Sequence, residues 1–171
     1  RAAPVAMAPV RHTRASVLRR AEREYRDLDR AVRALSRGRL DRTVPGFGAR
    51  ARIRRERWTY RDALAHILAW KSWQIDALRR VPQDPELRGL TISAKNRLIY
   101  DRWHPRPARD VVAWHRQLHR EIVRVLKALP DNTFKKRWSA SWPNDLIGHS
   151  AEHRRRHLEV RPDGATVPAR G

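Results

Sequence analysis

Apolar positions recur at helical spacing in four separate stretches of the chain, residues 16–35, 59–80, 107–129 and 143–160. In each stretch the apolar side chains fall on one face of a 3.6-residue period, and charged side chains occupy the other face. No stretch alternates apolar and polar residues over the length that a half-buried strand requires. The pattern therefore predicts an all-α fold, a bundle of four long helices.

Residues that favour helix ends agree with these boundaries. Thr59 is a good N-cap with Asp62 in the following turn, and Pro107 suits the first turn of a helix. A short helical segment is expected at about 93–103, before the third long helix. The connection at 40–57 is long and polar, which argues against a simple up-down-up-down bundle.

The termini differ in composition from the rest of the chain. Residues 1–12 are rich in proline and alanine and are predicted to form a flexible N-terminal arm, and residues 162–171 a C-terminal tail. Residues 13–161 are long enough to bury a core, which predicts a single domain. The apolar runs are too short to cross a bilayer, so we expect a soluble, cytoplasmic protein with no membrane partner.

Composition adds a strong charge signal. The 171 residues include 39 Lys and Arg against 18 Asp and Glu, a formal net charge of +21, and no cysteine. The lack of cysteine excludes disulfides, Cys-type zinc sites and thiol nucleophiles. The charge favours contact with polyanions, but it is equally compatible with arginines spread over solvated helix faces. The candidate phosphate contacts are Arg50, Arg52, Arg54, Arg55, Arg57, Arg154, Arg155 and Arg156.

Histidines suggest a metal site between two of the predicted helices. His149 and His153 are four residues apart, so on a helix they lie side by side and can share one ion. His66 lies on the inward face of the second helix, where an imidazole needs a partner. Three histidines with open coordination positions are typical of catalytic rather than structural metal sites.

Other interpretations of these histidines stay open. His149 and His153 can equally be buried, hydrogen-bonded histidines without a metal, and His115 and His119 show the same spacing without an evident third ligand. The stretch 149–153 also matches H-x-x-E-H, a zinc-protease pattern in which Glu152 would be the base, but short patterns of this kind recur by chance. His157, one turn further on, is interpreted as a bystander.

Two tryptophans and a glycine define a candidate pocket. Trp70 and Trp73 share the face of His66, so they form either part of the core or the apolar wall of a substrate pocket over the metal. Gly148 is costly inside a helix, and it serves either close packing or room for a substrate beside the histidines.

Several segments together resemble the DinB-like superfamily of metal-binding four-helix bundles, and the ClbS/DfsB branch in particular. "RWTYRDALAHILAWKSWQIDAL" is similar to the second helix of that branch through Asp62, Leu64, His66 and Trp70. "KNRLIYDRW" resembles its asparagine-containing segment through Asn96, and "WSASWPNDLIGHSAEHRRRHLEVR" resembles its final helix. The resemblance implies an up-down-down-up bundle with a triad formed by His66, His149 and His153.

The same resemblance implies an enzyme. The expected activity is that of a hydrolase or thiol S-transferase acting on a small electrophilic molecule in detoxification or self-resistance. We expect zinc or nickel and a low-molecular-weight thiol as cofactors, and Asn96 and Glu152 as candidate catalytic helpers. A monomer or a homodimer is expected. The alternative is a non-enzymatic protein that binds nucleic acid without sequence preference through its basic surface.

Overall fold

The computed structural model describes residues 11–35, 38–44, 47 and 56–159. These residues form six α-helices, which we number α1 to α6, and they contain no β-strand. The helices are α1 (Arg14–Leu35), α2 (Tyr60–Leu78), α3 (Ile92–Trp103), α4 (Ala108–Ala128), α5 (Asp131–Lys135) and α6 (Gly148–His153). The all-α prediction is confirmed.

Four of these helices surround the main core. α4 packs against both α1 and α2, and α6 with the turn that follows it also packs against α1 and α2. α3 lies along α2. The contacts bury one continuous set of apolar side chains, and its largest fully buried members are Leu28, Leu64, Ile67, Leu68, Ile75, Ile99, Leu118, Leu126, Leu146 and Leu158.

The start of α2 is fixed by a capping box. The Asp62 backbone N–H donates to the Thr59 hydroxyl at 3.3 Å, and the Thr59 backbone N–H donates to the Asp62 carboxylate at 2.8 Å. This reciprocal pair satisfies two N–H groups that a helix start leaves without partners. The same carboxylate lies 2.8 Å from Nδ1 of His104 at the end of α3. The capping box therefore also ties α2 to its neighbour, and the predicted N-cap is confirmed.

The last helix differs from its prediction. A continuous helix over 143–160 is wrong, because α6 begins at Gly148 and gives way to a wider π-type turn at Arg154–Leu158. The residues before Gly148 turn back on themselves, with the His149 N–H donating to the Asn144 carbonyl at 2.9 Å. Leu146 is nevertheless buried, which explains why its apolar periodicity continued the helical pattern.

Two short elements lie inside the connections between the longer helices. α5 buries Phe134, and a 3₁₀ turn at Pro85–Leu87 buries Leu87. Within the described part of the chain, no helix is both long enough and apolar enough to span a membrane.

Candidate metal centre

Three histidine side chains converge where α2 and α6 face each other, with His66 buried and the other two half-buried. One nitrogen from each of His66, His149 and His153 lies within 4.8 Å of the corresponding nitrogens of the other two. The ring centroids are 5.2 Å apart for His66 and His149, 4.6 Å for His66 and His153, and 4.4 Å for His149 and His153. The three residues that the sequence singled out as a triad are therefore brought together.

The spacing of this triad suits a tetrahedral ion after a small adjustment. Nitrogen ligands bind zinc at about 2.1 Å, so two such ligands of one tetrahedral ion lie roughly 3.4 Å apart. Closing the observed separation requires a movement on the order of 1 Å, which rotation of imidazole side chains can provide. Since imidazole is also a ligand for nickel, the donor set fits either metal.

The triad is poised in its neutral form. Burial is the largest cause lowering the pKa of His66 well below its ordinary value, and the neighbouring His153 and His149 lower it further. The pKa of His149 and that of His153 are each lowered to about 4, again mainly by burial. Neutral imidazole is the form that binds a metal, so no proton has to leave these rings at neutral pH.

Several buried nitrogens of the triad have no hydrogen-bond partner among the described residues. Both ring nitrogens of His66 and Nδ1 of His149 and of His153 are in this position. His66 is only 3 % exposed. Each buried polar atom without a hydrogen-bond partner destabilises the fold by about 1–3 kcal/mol, so these nitrogens are destabilising unless a ligand binds to them. The unpartnered nitrogens are the observation that points to a ligand.

Aromatic rings enclose the triad. Phe47 lies 5.7 Å from His66 and 6.1 Å from His153, and Trp58 lies 6.1 Å from His66, as centroid distances. Trp70 stands 5.7 Å from His149. A mostly apolar shell of this kind lowers the local dielectric and limits the access of water.

A fourth histidine adjoins this shell. His157, interpreted from the sequence as a bystander, is 9 % exposed and packs 5.3 Å from His153 and 4.5 Å from Phe47. Its pKa is lowered to about 4, chiefly by burial. It is not one of the three residues whose ligand atoms converge, but it closes one side of the cluster.

Trp70 separates the triad from a neighbouring cavity. That cavity, of about 350 Å³, is lined by Trp70 and Trp73, and the three histidines are not among its described lining residues. The Trp70 indole N–H donates to Oδ1 of Asn96 at 3.3 Å. Asn96 therefore holds the tryptophan that stands between cavity and triad, and a direct catalytic role for Asn96 stays a prediction.

Gly148 and Glu152 occupy less central positions. A Cβ on Gly148 would lie 2.7 Å from Oδ1 of Asn144, so the glycine accommodates the close approach of that side chain. Glu152 is exposed and pairs with Arg156 at 3.1 Å. No described hydrogen bond joins Glu152 to the triad, and its catalytic role also stays a prediction.

The arginines proposed as phosphate contacts divide into different environments. Arg154 is 7 % exposed and bonded to the Glu24 carboxylate, so its assignment to a phosphate-binding surface is wrong. Arg57, Arg155 and Arg156 are exposed. The remaining four lie outside the described residues, and they are Arg50, Arg52, Arg54 and Arg55.

Sequence reasoning missed the polar groups that hold α6 in place. Glu24 of α1 accepts hydrogen bonds from Ser150 at 2.8 Å and from Arg154 at 3.0 Å. Lys71 is buried nearby at 4 % exposure, and burial lowers its pKa to about 8 while Glu24 opposes the shift. Lys71 lies midway between Ile67 and Ile75 at four-residue spacing, a periodicity that indicates its burial.

Comparisons with known proteins give the fold alone. Neither a protein-family model nor a curated protein matches the chain. The chain is similar in structure to the crystal structure of an uncharacterised protein from Escherichia coli UTI89, with a TM-score of 0.62 and 14 % sequence identity. The alignment covers 87 % of this chain and 94 % of that one.

Proposed function

We propose that this protein is a metal-dependent enzyme with a DinB-like four-helix bundle, which acts on a small electrophilic molecule by hydrolysis or thiol transfer. The observation that carries the proposal is the triad of His66, His149 and His153, whose ligand atoms lie within 4.8 Å of one another and include buried nitrogens without described partners. Zinc or nickel bound there would supply Lewis acidity that activates water or a thiol as a nucleophile.

The surrounding residues support a reactive site rather than a structural one. Three protein ligands leave at least one coordination position open, as catalytic zinc sites do and closed structural sites do not. Phe47, Trp58 and Trp70 pack around the imidazoles and limit the access of water, which strengthens electrostatic interactions within the site. Burial, with smaller contributions from His153 and Lys71, lowers the pKa of His149 and so keeps this imidazole unprotonated.

The cavity beside Trp70 is the proposed substrate site. Its volume of about 350 Å³ suits a small molecule, its two indole walls suit an aromatic part of that molecule, and the rest of the lining includes three aspartates and a lysine. A substrate there would reach the triad past Trp70, whose orientation Asn96 fixes by hydrogen bonding. In this proposal Asn96 is a positioning residue.

Metal stoichiometry tests the site directly. Protein stripped with a chelator, reloaded with zinc or nickel and desalted should retain one ion per chain. His66→Ala and His149→Ala should each lose stoichiometric binding, because two imidazoles rarely hold an ion with useful affinity. His119→Ala is the matched control, since His119 belongs to the other four-residue histidine pair and its pKa is also lowered to about 4 by burial.

Two results separate the site from the activity. Wild-type protein that retains neither metal after reloading, or equal loss of metal in His119→Ala, rejects the triad. The second result is a protein that binds the metal but accelerates neither hydrolysis nor glutathione addition across a panel of epoxides and activated aryl halides. That result supports the metal site and rejects the proposed activity on electrophiles.

A further inference from the structure

A second concave site lies away from the histidines, where α2 and α4 end. Leu78 stands about 18 Å further along the axis of α2 than His66, at a rise of 1.5 Å per residue. The cavity there has a volume of about 690 Å³, within the range of small-molecule sites. It is lined by Leu78, Arg79, Arg80, Glu121, Arg124, Val125, Ala128, Leu129, Pro130, Asn132, Thr133 and Lys136.

The rim of this cavity carries positive charge that the described residues do not neutralise. Arg79 pairs with Glu121 at 3.1 Å. In contrast, the guanidinium groups of Arg80 and Arg124 form no ion pair or hydrogen bond with any residue in the described ranges, and both residues are exposed. Lys136 also lines the cavity, and its ammonium lies 5.8 Å from the ring of Trp138. The rim therefore offers at least two free guanidinium groups to an anion.

The floor of the cavity is apolar. Val125 and Leu129 line it and are themselves 7 % and 6 % exposed, and Leu78 and Ala128 extend the same surface. A phosphate or carboxylate alone would use the rim but leave this floor uncovered. The combination favours a ligand with an anionic head and a hydrocarbon body, because each part then meets matching chemistry.

The backbone at Arg80 gives an independent indication of function. Arg80 has φ of +58°, in the left-handed region that non-glycine residues rarely adopt. It occupies the position after the end of α2 in a Schellman motif, with the Arg80 N–H donating to Ala77 and the Val81 N–H to Asp76. Glycine is the usual residue at this position, and Gly38 and Gly89 occupy the other described left-handed positions of the chain. Arginine thus occupies a position where glycine carries less backbone strain, and this strain singles out Arg80 as a candidate binding residue.

We propose that this cavity binds an amphipathic organic anion, a carboxylate or phosphate head on a hydrocarbon body. Arg80 and Arg124 bind the head, and the surface formed by Leu78, Val125 and Leu129 packs against the body. The site is separate from the histidine triad, so the proposal does not depend on the proposed metal chemistry.

Calorimetric titration with decanoate, below its micelle concentration and at low salt, tests this proposal. Decanoate should bind the full chain with one-to-one stoichiometry and more tightly than inorganic phosphate. Arg80→Gly and Arg124→Gln should each weaken binding at least about tenfold, the loss expected for a charge-assisted hydrogen bond. Arg120→Gln removes an equal charge from exposed α4 surface outside the cavity and should bind as the wild type does.

Thermal unfolding of Arg80→Gly provides the second measurement. Because glycine relieves the left-handed strain, this variant should melt about 2–4 °C above the wild type while it binds decanoate more weakly. Loss of binding therefore cannot be attributed to a damaged fold. The proposal is overturned if the wild type does not bind decanoate, if phosphate binds as tightly, or if Arg120→Gln weakens binding as much as Arg80→Gly.

Discussion

The ion pair between Glu24 and Arg154 provides the sharpest test of how the histidine-bearing helix is held. The two side chains are 4 % and 8 % exposed. Nε and Nη2 of Arg154 donate to the two carboxylate oxygens at 3.1 and 3.0 Å, and the Ser150 hydroxyl donates to the same carboxylate at 2.8 Å. Glu24→Gln keeps the size of the side chain but removes the negative charge that Arg154 and the buried Lys71 both face.

The expected cost of Glu24→Gln follows from burial. Removing one member of a buried ion pair costs about 3–5 kcal/mol, because the other charge is left without compensation. Arg154 keeps a contact with the partly exposed Glu159 and lies 3.9 Å from Asp27, so we expect the lower end, about 3 kcal/mol. For a chain of this length that loss corresponds to a melting temperature lower by roughly 6–12 °C.

Urea and thermal unfolding followed by circular dichroism measure this difference. Glu22→Gln is the matched control, because it makes the same change two residues earlier on α1 at a half-exposed position outside the ion-pair network of Arg154. We expect the control to change the free energy of unfolding by less than about 0.5 kcal/mol. Equal effects of the two variants would refute the view that this ion pair anchors α6.

Three further predictions address other parts of the molecule. His115 is 2 % exposed and its pKa is lowered to about 4 by burial, so its NMR titration should have a midpoint near pH 4, and a midpoint above pH 6 contradicts this. Its contribution to the free energy of unfolding, on the order of 3 kcal/mol, should be complete above pH 6.5 and should decline as the pH falls to 4. Gly148→Ala should change the free energy of unfolding by less than about 1 kcal/mol, because the Asn144 amide that it meets is exposed and can rotate. If the alternative nucleic-acid function holds, affinity for duplex DNA should fall steeply with salt, and Arg155→Ala should reduce the slope of log K against log salt by about 1; no binding at low salt excludes that function.

Local patterns predicted the long helices because their causes are local. The predicted boundaries of the first helix lie within two residues of α1, and the capping box at Thr59 and Asp62 fixes the start of α2 through side chains three residues apart. Periodicity likewise placed His66 on an inward face, and this made the triad predictable.

The predictions that were wrong, for Arg154 and for the start of the last helix, failed for non-local reasons. Arg154 follows a histidine on an arginine-rich stretch, and only the fold brings it to Glu24, 130 residues earlier in the chain. The start of α6 depends on the hydrogen bond from the His149 N–H to the Asn144 carbonyl and on the burial of Leu146. Neither feature changes the apolar periodicity of the sequence, so the periodicity placed the start of this helix too early. A residue that periodicity places on the solvent-facing side of a helix, as it does Arg154, is therefore buried when a distant part of the chain packs against it.

The Glu24 network and the histidine triad are joined structurally through α6. This helix spans only Gly148–His153, too short to be stable through its own hydrogen bonds, so packing must fix its position. Ser150, which donates to Glu24, lies between His149 and His153 in sequence, and Arg154 follows directly after His153. A displacement of α6 would move the nitrogens of His149 and His153 together relative to His66 on α2. The buried carboxylate on α1 therefore holds the helix that carries two of the three candidate ligands, although Glu24 is not itself one of them.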